Sequence, residues 1–135
     1  MLLTWAVQDF RGLRAWESAV LVAKKTRELV RKFPRRGFAD LRAQMIAAAE
    51  SISNNIAEGR AASNDSEFLR FLDMAARSAS ELSSQAELVK SYRIAPERET
   101  FNLVGSIICT RRMIRSLQQT IREDGEKSRD RRRRA

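Results

Sequence analysis

The sequence contains no histidine and a single cysteine, Cys109. Without histidine the commonest general base of enzymes is missing, and the Glu-x-x-His element of di-iron helical bundles cannot exist. One cysteine excludes an internal disulfide, and the Cys/His ligand sets of structural zinc are absent. We therefore expect a non-catalytic protein without a metal or cofactor. Cys109 follows Ile107 and Ile108, so we interpret it as a small hydrophobe.

Glycine and proline are scarce, at five and two residues, and no apolar run approaches the roughly 18 residues that a membrane-spanning helix needs. Few turn-forming residues and abundant alanine, leucine, arginine and glutamate favour helices joined by short turns. Residues 1–7 contain no basic leader, and their apolar part is too short for a secretion signal. Together with the lone thiol, this pattern predicts a cytoplasmic protein that does not enter a membrane.

Positive charge is what the sequence has in excess. Lysine and arginine number 26 and aspartate and glutamate 17, which gives a net charge of +9 over 135 residues. Such a charge favours anionic partners but does not indicate a fold. The length fits one domain.

Apolar residues recur every three or four positions in four segments, which is the period of an α-helix. The predicted helices follow a lead-in of about eight residues and span residues 11–33, 39–58, 65–91 and 96–122. Pro34 ends the first helix, and Asn64 with Glu67 predicts a capping box for the third. Gly59 is predicted to end the second helix in the left-handed conformation. The short links predict an all-α, antiparallel up-down four-helix bundle in residues 1–122.

The apolar faces of the first and fourth helices and the last thirteen residues complete this prediction. The expected core positions of these two helices are Leu13, Trp16, Val20, Ala23 and Val30, then Phe101, Val104, Ile107, Ile108, Ile114, Leu117 and Ile121. Those of the second helix are Leu41, Met45, Ala48, Ala49, Ile52 and Ile56, and those of the third are Phe68, Phe71, Leu72, Ala75, Ala79, Leu82, Ala86 and Val89. Residues 123–135 have no apolar residue before the final alanine and include four consecutive arginines, so we expect a basic, disordered tail. Its composition fits a grip on phosphates and a solubility tail equally.

The segment Ser51–Gly59, together with Leu41 and Gln44, resembles the signature of the 23S rRNA intervening-sequence family. These are small four-helix-bundle proteins of bacteria that are related to the accessory variability proteins of retroelements. Further agreement with the family pattern is found at Phe10, Leu13, Trp16, Ala19, Phe33, Pro34, Glu67, Phe68, Phe71, Leu72, Ala75, Ser78, Glu81 and Leu82. The chain departs from the pattern after Gln44, where basic residues are often found, and at Arg77, where glycine is frequent.

The resemblance implies a ring-like homo-oligomer, a pentamer in known relatives, with a basic surface. It also implies binding to nucleic acid and a protein partner such as a reverse transcriptase, as in the retroelement members.

A cluster of cations at the end of the first helix and in the following turn is the main candidate site. Its members are Lys24, Lys25, Arg27, Arg31, Lys32, Arg35, Arg36 and Arg42, with only Glu28 and Asp40 to offset them. Cations near a helix C terminus are also stabilised by the helix dipole, so part of this cluster has a structural explanation. Repeated around a ring, the cluster becomes a belt that attracts RNA or DNA backbones without reading bases.

A polar stripe borders the apolar face of the second helix. It consists of Gln44, Ser51, Asn55 and Glu58, and the facing polar residues of the third helix are Ser78 and Glu81. A buried amide without a partner costs roughly 1–3 kcal/mol, so the stripe needs hydrogen bonds. One interpretation is a network from Asn55 to Ser78 or Glu81 that sets helix register, and the other is a subunit interface or ligand pocket. A metal bound between Glu58 and Glu81 would instead indicate a catalytic bundle.

These patterns predict a non-catalytic, basic, homo-oligomeric protein that binds RNA or DNA through backbone contacts and serves a nucleic-acid-processing partner. The alternative is an oligomeric scaffold for protein docking that has no nucleic-acid role.

Overall fold

Four helices account for nearly all of the computed structural model, which describes the backbone of residues 2–135 and the side chains of residues 8–135. The helices are α1 (Leu2–Val30), α2 (Ala39–Arg60), α3 (Asp65–Tyr92) and α4 (Glu97–Arg134). Each helix packs on the next one along the chain, and α4 packs on α1. Because the links are short, neighbours run antiparallel, which confirms the up-down four-helix bundle. Within the described backbone no segment forms a strand, and none of these helices is long and apolar enough to span a bilayer.

The core is built from the predicted faces of α2 and α3 and from a different face of α1. The buried residues described for α1 include the small side chains Ala15, Ala19 and Thr26 beside Val22, Leu29 and Val30, and of these Val30 was among the predicted core positions. Leu13 is 37% exposed, and Trp16 is half-buried at the edge of the core. The pattern pointed to the bulkier residues, whereas packing turns the alanines inward. Small side chains let α1 approach its neighbours closely, and the larger ones cover the margin.

The core face of α4 also differs from the prediction. Phe101 is 76% exposed and Ile108 is 44% exposed, whereas Thr110 is fully buried. Thr110 is tolerated there because its hydroxyl is hydrogen-bonded to the Ser18 hydroxyl at 2.7 Å and to the Ser106 carbonyl at 2.9 Å. Its position continues the buried row Leu103, Ile107, Ile114, Leu117 and Ile121. Thr110 is therefore buried because of its position in this row, although its side chain is polar.

The predicted cap of α3 is confirmed, whereas the predicted cap at Gly59 is not. The Asn64 side chain caps α3 by accepting a hydrogen bond from the Glu67 amide at 2.9 Å. Gly59, however, lies inside α2, which continues to Arg60, and Gly37 is the glycine with a positive φ among the described residues. The prediction of a left-handed cap at Gly59 was wrong. A Cβ atom there would lie 2.7 Å from Cδ1 of Phe68, so the glycine serves close packing of α3 on α2.

The two outer helices are longer than predicted. α1 begins at Leu2 rather than near residue 11, and Gln8 donates a hydrogen bond to Asp124 of α4 at 2.7 Å. α4 runs to Arg134 instead of ending near residue 122, so the exposed basic tail is helical rather than disordered. The end of the apolar pattern at Ile121 marks the end of core packing. Beyond it, Arg, Glu and Lys are good helix formers and need no core.

Candidate nucleic-acid interface

One end of the bundle collects the predicted cations. In an antiparallel bundle the C termini of α1 and α3 meet the N termini of α2 and α4, together with the links 31–38 and 93–96. The predicted cluster lies on the last turns of α1, in the first link and at the start of α2. The structure divides it into cations with partners inside the fold and cations directed to solvent.

Four of the eight cations have partners inside the bundle. Arg27 forms an ion pair with Glu50 of α2, and Lys32 forms one with Glu99 of α4. Lys25 donates to the Ser106 hydroxyl of α4 at 2.7 Å. These three side chains point sideways toward neighbouring helices. Their positive charge is partly used within the bundle, so they are weak candidates for binding phosphate.

Arg42, the fourth, holds the first link in place. Its guanidinium donates to the carbonyls of Gly37 at 3.0 Å, Val30 at 3.3 Å and Pro34. The guanidinium carbon also lies 5.6 Å from the centre of the Phe33 ring. Val30 is the last residue of α1, where carbonyl groups have no partner within the helix. Arg42 therefore stabilises a helix end and a turn and is not a free surface charge.

Replacing Arg42 tests this structural role. We expect Arg42→Gln to lower the free energy of unfolding by about 1 kcal/mol or more, because several charge-assisted hydrogen bonds are lost together. Urea denaturation followed by circular dichroism measures it. Arg35→Gln is the matched control in the same link, and a change within about 0.5 kcal/mol is expected there. Equal effects of the two substitutions would contradict the assignment.

The other four cations of the cluster are exposed. Lys24, Arg31, Arg35 and Arg36 have no hydrogen bond or ion pair within the part of the chain that the structure describes. Lys24 lies in the last turns of α1, and Arg31 directly follows its last residue, Val30. These donors are available to an external anion.

Three further cations at this end were missed by the sequence reasoning. Lys90, Arg93 and Arg98 are exposed at the end of α3, in the third link and at the start of α4. The two links are joined through the Phe38 and Tyr92 rings, whose centres are 5.7 Å apart. The sequence could have indicated these three cations, because an up-down bundle brings its first and third links to the same end. We call the seven exposed cations Lys24, Arg31, Arg35, Arg36, Lys90, Arg93 and Arg98 the basic end.

The predicted polar stripe separates into a network and isolated residues. The Ser51 and Ser78 hydroxyls are 2.9 Å apart and link α2 to α3. The Asn55 amide donates to the Ser51 carbonyl at 2.8 Å and to its hydroxyl at 3.0 Å. Asn55 is thus linked to Ser78 through Ser51 and not by a direct hydrogen bond. The three residues form a contact between α2 and α3 within the bundle.

The remaining stripe residues lie apart from this network. Gln44 and Glu58 are exposed, and Glu81 accepts a long hydrogen bond of 3.5 Å from Gln85 on its own helix. Among the described residues, no group of three or more Asp, Glu, Cys or His side chains is placed to hold a metal. Cys109 is exposed, which corrects its interpretation as a small hydrophobe, because it lies about 200° around α4 from the buried Ile107.

Comparison with known proteins agrees with this architecture. The crystal structure of a protein of unknown function from the S23 ribosomal protein family of Bacteroides thetaiotaomicron matches with a TM-score of 0.68 and 19% sequence identity. The match covers 83% of this chain and 97% of that chain, and at this identity it shows the fold alone. The comparison with curated proteins gives no match. A family model described as 23S rRNA-intervening sequence protein matches residues 11–116, which include most of the bundle. The chain therefore belongs to the 23S rRNA-intervening sequence protein family.

Proposed function

We propose that this protein is a non-catalytic homo-oligomer that binds the backbone of RNA or DNA through its basic end. The observation that carries the proposal is the meeting of seven exposed cations from α1, α3, α4 and the links 31–38 and 93–96 at one end of the bundle. Lysine and arginine contacts to phosphate need donors that are not occupied elsewhere in the protein. Four of these cations lie in or near the first link, and three lie in or near the third link.

The basic end offers little for reading bases. Phe33 is buried, and Phe38 is half-buried against Tyr92, so neither phenylalanine is free to stack on a base. Tyr92 is 55% exposed, but stacking of a base on an aromatic ring does not depend on base sequence. Contacts to phosphate position a protein on nucleic acid without conveying sequence information. We therefore propose binding that depends on charge and shape and not on base sequence.

Self-association is the second part of the proposal. Phe10 is 60% exposed, Leu13 and Leu21 are exposed on the same side of α1, and Phe101 and Ile108 are exposed on α4. Large apolar side chains at a surface often mark an interface with another protein. A ring of copies, five by resemblance to known relatives, would repeat the basic end as a belt and raise the affinity for a polymer. A nucleic-acid-processing enzyme such as a reverse transcriptase fits as the partner of such a ring.

Salt dependence tests the nucleic-acid proposal. Filter binding to structured RNA and to duplex DNA is measured between about 50 and 200 mM salt. If each protomer neutralises about four phosphates, the logarithm of the association constant should fall linearly with the logarithm of salt concentration, with a slope of roughly −4 for duplex DNA. Sedimentation equilibrium on the same sample measures the subunit number. A flat salt response, or no binding at the lowest salt, would contradict the proposal.

An oligomeric scaffold for protein docking is the second candidate. The exposed rings of Phe10 and Phe101 favour it, because aromatic side chains are enriched where proteins meet. In that case the positive charge serves no nucleic acid, and partner binding does not depend on the basic end.

A further inference from the structure

A groove between α3 and α4 contains a second group of cations, well away from the basic end. It has a volume of about 430 Å³ and is lined by Asp73, Ala76, Arg77, Ser80, Arg111, Arg115 and Gln118. Arg111 lies fourteen residues after Glu97, the first residue of α4, which corresponds to about 20 Å along the helix. We call this feature the arginine groove.

The charge of the arginine groove is not balanced by the protein. The ion pairs in the described part of the chain involve Arg27, Lys32 and Arg60, and none includes an arginine of the groove. The carboxylate of the groove belongs to Asp73, which accepts a hydrogen bond of 2.7 Å from Gln118. Three guanidinium groups and one carboxylate leave a local charge of +2.

The arrangement of the donors is set by the two helices. Arg111 and Arg115 are four residues apart on α4, and Arg77 and Ser80 are three apart on α3, so each pair lies on one side of its helix. Gln118 is only 6% exposed, and its bond to Asp73 joins the two helices at one end of the groove. Side chains of both helices therefore line the groove, and the hydrogen bond between Gln118 and Asp73 holds one end of it in place.

The side chain of Arg111 is destabilising because its charge and its Nε atom have no partner in the described part of the protein. Its side chain is half-buried, and its Nε atom is buried without a hydrogen-bond partner. A buried donor with no acceptor is destabilising, and a partly desolvated cation more so. An anion in the groove would compensate the charge of this guanidinium group, because the planar group matches the oxygen atoms of a phosphate.

We propose that the arginine groove binds a phosphate monoester, with Arg77, Arg111 and Arg115 as charged donors and the Ser80 hydroxyl as a neutral one. A monoester carries a charge of about −1.5 to −2 at pH 7, which matches the local charge better than a single carboxylate or a phosphodiester does. The volume lies within the range of small-ligand sites, roughly 300–1,000 Å³, and leaves room for a group attached to the phosphate. Free nucleotides and the terminal phosphate of a nucleic acid share this chemistry.

Calorimetric titration of the full chain tests the groove. The probes are inorganic phosphate, adenosine monophosphate and the singly charged dimethyl phosphate, and we expect the first two to bind more tightly than the third. Arg111→Gln should weaken phosphate binding by about tenfold or more, because a charge-assisted hydrogen bond is lost. Arg112→Gln is the matched control, since Arg112 is the exposed neighbour that does not line the groove, and it should leave binding unchanged. Arg77→Gln, at an exposed position, replaces Arg111→Gln if that variant fails to fold.

Two oligonucleotides of one sequence, with a 5′-phosphate and with a 5′-hydroxyl, identify the source of the phosphate. If Arg111→Gln removes only the advantage of the phosphorylated form, the ligand is a terminal phosphate. If it affects adenosine monophosphate and neither oligonucleotide, the ligand is a free nucleotide. Either result supports the proposal.

Three results would overturn it: no binding of phosphate or adenosine monophosphate, equal losses in Arg111→Gln and Arg112→Gln, or a changed subunit number in Arg111→Gln without phosphate binding by the unaltered protein. The last result would assign the groove to a carboxylate of a second copy. Phosphate bound in the groove should be unaffected by glutamate substitution of Lys24, Arg31, Arg35 and Arg36, whereas phosphate bound at the basic end should be lost. The groove and the proposed nucleic-acid interface can therefore fail independently.

Discussion

Reversing the charge of Lys24, Arg31, Arg35 and Arg36 together to glutamate is expected to abolish nucleic-acid binding while the bundle stays folded. These side chains are exposed, and the structure gives them no partner within its described part, so each substitution should cost little stability. Each lost phosphate contact removes about one unit from the salt slope, so the slope should fall by about four. At low salt, filter binding should show an affinity at least about a hundredfold weaker.

A second fourfold variant separates the basic end from net charge. Reversal of Arg14, Arg70, Arg112 and Arg122, all exposed outside the basic end and before residues 123–135, makes the same change from +9 to +1, because four reversals remove eight charges. This control should keep most of the binding. Equal losses in both variants would mean that only total charge matters. Full nucleic-acid binding by the first variant would favour the docking scaffold, which also predicts unchanged binding of a protein partner.

Gly59→Ala is expected to lower the free energy of unfolding by roughly 1–2 kcal/mol. A Cβ atom at Gly59 would lie 2.7 Å from Cδ1 and 3.1 Å from Cε1 of Phe68, and 3.2 Å from Cβ of Phe71. Separating α2 from α3 to make room costs about 1–3 kcal/mol, which exceeds the gain of up to about 1 kcal/mol from the helix propensity of alanine. Urea denaturation followed by circular dichroism measures the difference.

Gly105→Ala is expected to stabilise the protein, in contrast to Gly59→Ala. Gly105 is exposed in α4, and a Cβ atom there would meet nothing within 4 Å. The substitution should raise the free energy of unfolding by about 0.5–1 kcal/mol, since alanine restricts the unfolded chain and favours the helix. If Gly59→Ala were also stabilising, the close approach of α3 to α2 would be wrong.

The sequence by itself determined the number of helices, their order and the core faces of α2 and α3. Local signals are sufficient there, because an apolar residue every three or four positions needs one buried side, and Asn64 caps α3 through its own side chain. The Ser51–Gly59 segment also identified the family, to which residues 11–116 belong. Links of a few residues then allow only antiparallel neighbours.

The tertiary structure decided which groups of a given kind are used. No local pattern distinguishes Arg42, which binds three carbonyl groups, from Arg35, which is exposed, because the difference depends on where a link folds back. Likewise, Arg77 and Arg111 come together only when α3 packs on α4, and Gly59 is a packing site only because Phe68 lies against it. Periodicity specifies which side of a helix is apolar. Which cations lack a partner, which side chains are exposed and how closely two helices approach depend on the neighbouring helix. The residues of that helix are distant in the sequence.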